Sequence, residues 1–119
     1  MARCRSFAVE FAEVARRDLE GIIEFIAMDD PVAAAHALEQ IESRAASLKQ
    51  FPERGRVVPE LAAFNIQLYR ELIISPWRVI YRIGRKTVYV LAVLDGRRNV
   101  EDVLLSRLVR SQTGGRESD

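Results

Sequence analysis

The chain has little cysteine, histidine or lysine: among 119 residues there is one cysteine, one histidine, and 18 basic groups of which only Lys49 and Lys86 are lysines. Each scarcity excludes something. Cys4 alone forms no internal disulfide, and with His36 as the one histidine there is no Cys/His set at metal-ligand spacing. No metal and no cofactor is expected. Long hydrophobic runs are missing too: the longest, residues 88–94, suits a strand and is too short to cross a bilayer. Near the N-terminus the apolar stretch Phe7-Ala8-Val9 stops at Glu10, far short of a signal-peptide core. These features predict a cytoplasmic protein with no membrane partner.

Net charge is scarce as well, at +1. That near-neutrality argues against a nucleic-acid binder held by bulk charge, but it is a sum over unlike parts. Residues 1–50 carry 6 basic and 9 acidic groups, residues 51–110 carry 11 and 6, and residues 111–119 carry 1 and 2. The chain is electrically polarised. Its basic half is built from arginine, whose planar fork suits phosphate and carboxylate.

What is present is enough apolar sequence, 49%, for one domain with a modest core. Residues 3–9 read as a short first strand. From about Ala12 the spacing of Ala15, Leu19, Ile22, Ile23 and Ile26 is that of an amphipathic helix. Asp29-Asp30-Pro31 stops it, because Pro31 disfavours helix at the residue before it, while Asp30 can cap a new helix that starts on Pro31. That second helix, with Ala34, Leu38, Ile41, Ala45 and Leu48 in register, runs to about Gln50 and folds back as an antiparallel hairpin. Residues 51–60 break the period with Pro52, Gly55 and Pro59.

The period then becomes two. Residues 66–74, 77–83 and 87–94 predict a three-strand meander, split at Ser75-Pro76 and Gly84-Arg85-Lys86. Asn99 and Asp102 can start a short terminal helix through Leu108, and the polar residues 111–119 read as a disordered tail. The fold class is α+β in the order β-α-α-β-β-β, a helix hairpin packed on one face of a small antiparallel sheet, in one domain over residues 1–110.

Alternation divides the meander into two faces. Leu68, Leu72, Ile74, Trp77, Val79, Tyr81 and Ile83 form an apolar face that suits the helices. Tyr69, Glu71, Ile73, Arg78, Ile80 and Arg82 form the other, with Arg97 and Arg98 just beyond the last strand. A cationic groove of Arg78, Arg82, Arg97 and Arg98 is one reading of that face, and a plain solvated surface with Glu71 pairing Arg78 or Arg82 is the other. Arg70 falls among the core residues, which calls for a buried carboxylate such as Asp18 or for a bulge that shifts the register.

Several segments, taken in order, resemble the RelE/ParE superfamily of toxins from type II toxin–antitoxin (plasmid stabilisation) modules. They are Ala15-Arg16-Arg17-Asp18-Leu19-Glu20-Gly21-Ile22, Leu48-Lys49-Gln50-Phe51-Pro52-Glu53-Arg54-Gly55-Arg56 and Val58-Pro59-Glu60-Leu61. Tyr69-Arg70-Glu71-Leu72, Trp77-Arg78-Val79-Ile80-Tyr81-Arg82 and Val93-Leu94-Asp95-Gly96-Arg97-Arg98 follow. The resemblance covers residues 3–110. It implies a growth-arresting protein neutralised by a cognate antitoxin, in a toxin–antitoxin hetero-oligomer, with one of two targets.

One is DNA gyrase, inhibited by binding, as in ParE-like members. The other is mRNA on the ribosome, cut by RelE-like mRNA interferases. A third alternative is a degenerate, inactive toxin that only binds its antitoxin. For the nuclease, the resemblance places Arg78 on the phosphate, Arg98 at another functional position and Glu60 as the loop base. Tyr69, Glu71, Arg82 and Arg97 complete the candidate binding surface. The departures are as informative: Leu104 or a neighbour stands where many nucleolytic members carry tyrosine, and the region of Tyr69 and Glu71 lacks their lysines. Cleavage needs an acid for the leaving oxygen, and arginine is a poor one. The balance favours gyrase.

Overall fold

The computed structural model describes residues 6–96 and 102–107. Cys4, Arg97, Arg98, Asn99, Leu108 and the tail from 111 onward lie outside the described residues. The chain begins with strand β1 (Ala8–Phe11), followed by α1 (Glu13–Ala27) and α2 (Pro31–Ala46), which ends in a 3-10 turn at Ser47–Lys49. Then come β2 (Arg56–Val57), α3 (Pro59–Ala62), β3 (Tyr69–Ile74), β4 (Trp77–Ile83) and β5 (Thr87–Asp95). Residues 102–107 form a last helix, α4.

The break between the helices has the expected chemistry. Asp30 accepts hydrogen bonds from the Val32 and Ala33 amides at 3.1 Å, and Pro31 occupies the first turn of α2. Two donors that the helix leaves without backbone partners are thereby satisfied.

The α+β class and the helix hairpin agree with the sequence, and the sheet is richer than the meander. Its order is β1-β5-β4-β3-β2. β1 runs parallel to β5, Val9 beside Val88, while the other pairs are antiparallel. Parallel pairing at this edge follows from the connection: two helices and a meander separate the strands, so β1 need not reverse direction as in a hairpin. β2 was not foreseen, because two residues carry no readable period. β3 starts at Tyr69, so Leu68 is an exposed residue of the preceding loop and not a member of the apolar face.

On one face Leu72, Ile74, Val79, Tyr81, Val88 and Val90 pack against Ala15, Leu19, Ile41 and Leu48. The opposite face is neither bare nor wholly cationic. Ile80, Ala92 and Leu94 bury themselves there under Val58, Leu61 and Leu104, so α3 and α4 cover part of it. A shift between Ile80 and Tyr81 makes this possible. Ile80 pairs with Ala92 but Tyr81 with Val90, which leaves Leu91 as an extra residue in β5. The extra residue reverses the alternation, so Val88 and Val90 face the helix hairpin while Ala92 and Leu94 face the second core.

Candidate functional site

Arg78, Glu71 and Arg56 come together because the sheet places them on one face of neighbouring strands. Arg56 of β2 pairs with Glu71 of β3, and Arg78 of β4 lies opposite Ile73, one diagonal step from Glu71. Glu60 arrives from above, on the first turn of α3, where Pro59 starts the helix. The Arg78 guanidinium is held on two sides. Its Nε donates to Glu71 Oε1 at 2.6 Å, while Nη1 and Nη2 donate to the two oxygens of Glu60 at 2.8 and 2.7 Å. Arg56 Nε donates to the other Glu71 oxygen at 2.7 Å.

The result is an alternating row of two arginines and two carboxylates whose formal charges cancel. The Glu71 side chain has no exposed surface, while that of Glu60 keeps 30%. Hydrogen bonding from Arg78 holds the Glu60 carboxyl below its ordinary range, and Glu60 in turn raises the already high pKa of Arg78. Both shifts work against proton transfer. A carboxylate stabilised as an anion is a weaker base, and a guanidinium held by two anions gives up its proton even less readily.

Arg82 sits four residues beyond Arg78 along β4, on the same face. It lies opposite Tyr69 on one side and Tyr89 on the other, with its guanidinium carbon 4.8 Å from the Tyr89 ring centre. That is a cation–π contact. Among the predicted residues, then, Glu60, Glu71 and Arg78 form one cluster and Arg82 with Tyr69 a neighbouring one. Arg97 and Arg98 fall outside the described residues.

Neither alternative for Arg70 holds. It stays in register beside Tyr81, and its Nη1 donates to the Gly55 carbonyl at 2.8 Å. Backbone carbonyls of the loop, and no buried carboxylate, receive it. The Asp18 carboxylate takes Arg107 of α4 in a forked contact at 2.7 and 3.0 Å, and accepts from the Val93 amide at 3.1 Å. β1 ends opposite Val90, so Asp18 serves the β5 edge just past the end of its neighbour.

A further anchor is the Tyr81 hydroxyl, which donates to the Pro52 carbonyl at 2.7 Å and accepts from the Gly55 amide at 2.9 Å. Gly55 has to be glycine: a Cβ there would stand 2.5 Å from the Glu71 carbonyl oxygen and 2.6 Å from the Tyr81 hydroxyl. Composition does not single out Arg56 or Arg107 among 16 arginines; strand pairing selects the first and the docking of α4 on Asp18 the second.

The family model described as the ParE toxin of type II toxin-antitoxin system, parDE, matches residues 9–100. The chain belongs to the ParE toxin family. Toxin ParE3 of Caulobacter vibrioides is 33% identical over 88 residues, covering 70% of this chain and 80% of that protein. Among solved structures, the chromosomal ParDE system of P. aeruginosa matches with a TM-score of 0.64 at 19% identity, over 76% of this chain and 97% of that one. The RelBE2 toxin–antitoxin complex of Mycobacterium tuberculosis matches at 0.54 and 24%, over 80% and 97%. At these identities the structures support the fold. The family match makes this ParE-family chain a toxin of a type II toxin–antitoxin system.

Between α1 and α2 of this ParE-family toxin opens a groove of about 430 Å³, lined by apolar Phe11, Leu19, Ile23 and Leu38 together with three glutamates and Arg16. No helix among the described residues is long and apolar enough to cross a membrane.

Proposed function

We propose that this toxin arrests growth by binding and inhibiting DNA gyrase, and that it does not cut RNA. The observation that carries the reading is the occupancy of Arg78: Glu71 and Glu60 already fill its Nε and its fork. A phosphate would have to displace Glu60 from a bidentate, charge-assisted contact before it could be gripped. With Glu60 engaged and its pKa lowered, the base required for attack by a ribose hydroxyl is a poor one. Inhibition by binding needs none of these groups free.

The antitoxin neutralises the toxin by laying an amphipathic helix in the groove between α1 and α2, where Phe11, Leu19, Ile23 and Leu38 await apolar side chains. Glu60 and Arg78 in contact are also what a loop base beside a phosphate-binding arginine would look like, and that favours a ribosome-dependent endonuclease as the second reading. Two assays on purified protein separate them. Gyrase supercoiling of relaxed plasmid is inhibited and mRNA on programmed ribosomes stays intact; the reverse pattern refutes the proposal. A folded Arg78→Ala variant keeps its inhibition of gyrase, whereas a nuclease would lose roughly 10²-fold or more in rate with that electrostatic donor.

A further inference from the structure

The helix hairpin carries a feature that neither the core nor the groove explains. Residues 20–36, spanning the distal half of α1, the turn and the start of α2, contain Glu20, Glu24, Asp29 and Asp30 and no lysine or arginine. At the tip of this acidic arm three large apolar side chains face solvent: Phe25 is 76% exposed, Met28 85% and Val32 68%. Phe25 in the last turn of α1 and Met28, its C-cap, are three residues apart in helical geometry and so share a face, while Val32 stands in the first turn of α2 across a tight connection. Ile22 and Ile23, one turn earlier, pack against the main core, so α1 passes from a buried stripe to an exposed apolar tip.

Capping does not require this pattern. Asp30 alone caps α2, and the turn would form equally well with polar residues at 25, 28 and 32. An aromatic and a thioether standing free amid carboxylates make an anchor with a negative rim. Aromatic side chains are typical energetic centres of interfaces, and a ring of one charge sign steers association toward the opposite sign.

We propose that the hairpin tip is the surface by which this toxin engages gyrase, with Phe25 and Met28 entering an apolar depression ringed by lysine and arginine on the enzyme's DNA-handling face. The inference rests on the gyrase reading above. Charge complementarity selects this occupant: a surface that holds duplex DNA is necessarily cationic, because it neutralises phosphates. Asp29 and Asp30 present such a surface with negative charge at the turn of the helix hairpin, with Glu20 and Glu24 extending it along α1 toward the groove. The tip is the negative counterpart of the arginine-rich sheet half, and it lies past Ala15 and Leu19, the buried residues of α1.

The test compares the wild-type protein with F25S/M28S and with D29K in supercoiling of relaxed plasmid by purified gyrase. All three fold alike, since the altered side chains are exposed, and circular dichroism melts confirm it. F25S/M28S raises the concentration for half-inhibition roughly thirtyfold, as loss of a central apolar anchor does. D29K raises it roughly three- to tenfold, and this deficit shrinks as salt is raised. Both variants still bind the antitoxin with wild-type affinity in calorimetry. Wild-type protein that fails to inhibit gyrase overturns the gyrase reading and this inference with it. Wild-type inhibition with equal inhibition by F25S/M28S overturns the inference alone. So does loss of antitoxin binding by F25S/M28S with inhibition kept, which assigns the tip to the antitoxin, or conversion of a dimer to a monomer with inhibition kept, which assigns it to a second copy.

Discussion

Arg78→Met is the most exacting perturbation of the ion-pair row. Methionine retains an unbranched apolar stem, so packing beneath the guanidinium changes little, while the Nε, Nη1 and Nη2 donors disappear. The consequences for the two carboxylates differ. Glu60, with 30% of its side chain exposed, turns toward water at small cost. Glu71 cannot: its side chain has no exposed surface, and its remaining contact is a single oxygen held by Arg56.

Leaving a buried charge half-satisfied costs about 3–5 kcal/mol. For a domain whose total stability is about 5–15 kcal/mol, that is a large fraction. Equilibrium urea denaturation reads it as a fall in midpoint of more than about 1 M at unchanged slope. Glu60→Gln, by contrast, costs about 1 kcal/mol, because its partner keeps Glu71. The double variant Glu71→Leu/Arg78→Met recovers to within about 1 kcal/mol of wild type, since no buried charge is left unpaired and Arg56 and Glu60, which lose their partners, both reach water. A cost below about 1 kcal/mol for Arg78→Met, or a double variant no more stable than the single, would refute the argument that Arg78 serves chiefly to neutralise a buried Glu71.

Gly55→Ala forces a Cβ into the Glu71 carbonyl and the Tyr81 hydroxyl and lowers stability by about 1–3 kcal/mol, measured as a drop in melting temperature. Tyr81→Phe leaves the buried Gly55 amide without its acceptor and costs about 1–3 kcal/mol in the same melt; a neutral outcome would mean the loop re-pairs elsewhere. Asp18→Asn weakens the fork to Arg107, so amide exchange in residues 102–107 accelerates about tenfold or more while the β3–β4 amides are unaffected. Glu60 has a folded pKa below its ordinary 4.5, so its contribution is complete above that value and is lost as pH falls through the lower folded value. The stability difference between wild type and Glu60→Gln therefore narrows on acidification, and a difference that widened instead would reverse the assigned sign.

Local periodicity determined a good deal of this protein. The stripe on α1, the Asp30-Pro31 start of α2 and the alternation of β3 and β4 are written in residues two to four positions apart, where side-chain direction follows from backbone geometry alone. The same alternation put Leu72, Ile74, Val79 and Tyr81 on one face and Glu71, Arg78 and Arg82 on the other without any knowledge of partners. It failed where no period exists. The uniformly apolar residues 88–94 concealed the extra Leu91 that turns Ala92 and Leu94 toward a second core, because a strand buried on both faces has no alternation to read.

Partnership was decided by tertiary structure alone. Glu60 and Arg78 are 18 residues apart and Asp18 and Arg107 are 89 apart, and arginines are too numerous for composition to match each with its acid. Arg78 could be read from the sequence as a cation on a sheet face. Whether it is a free charge for phosphate or a neutralised strut depends on β2 pairing with β3 and α3 folding over β4, which fix the distances between groups that local sequence leaves unrelated. Charge at a site is a property of what lies within a few ångströms, and chain proximity does not encode it.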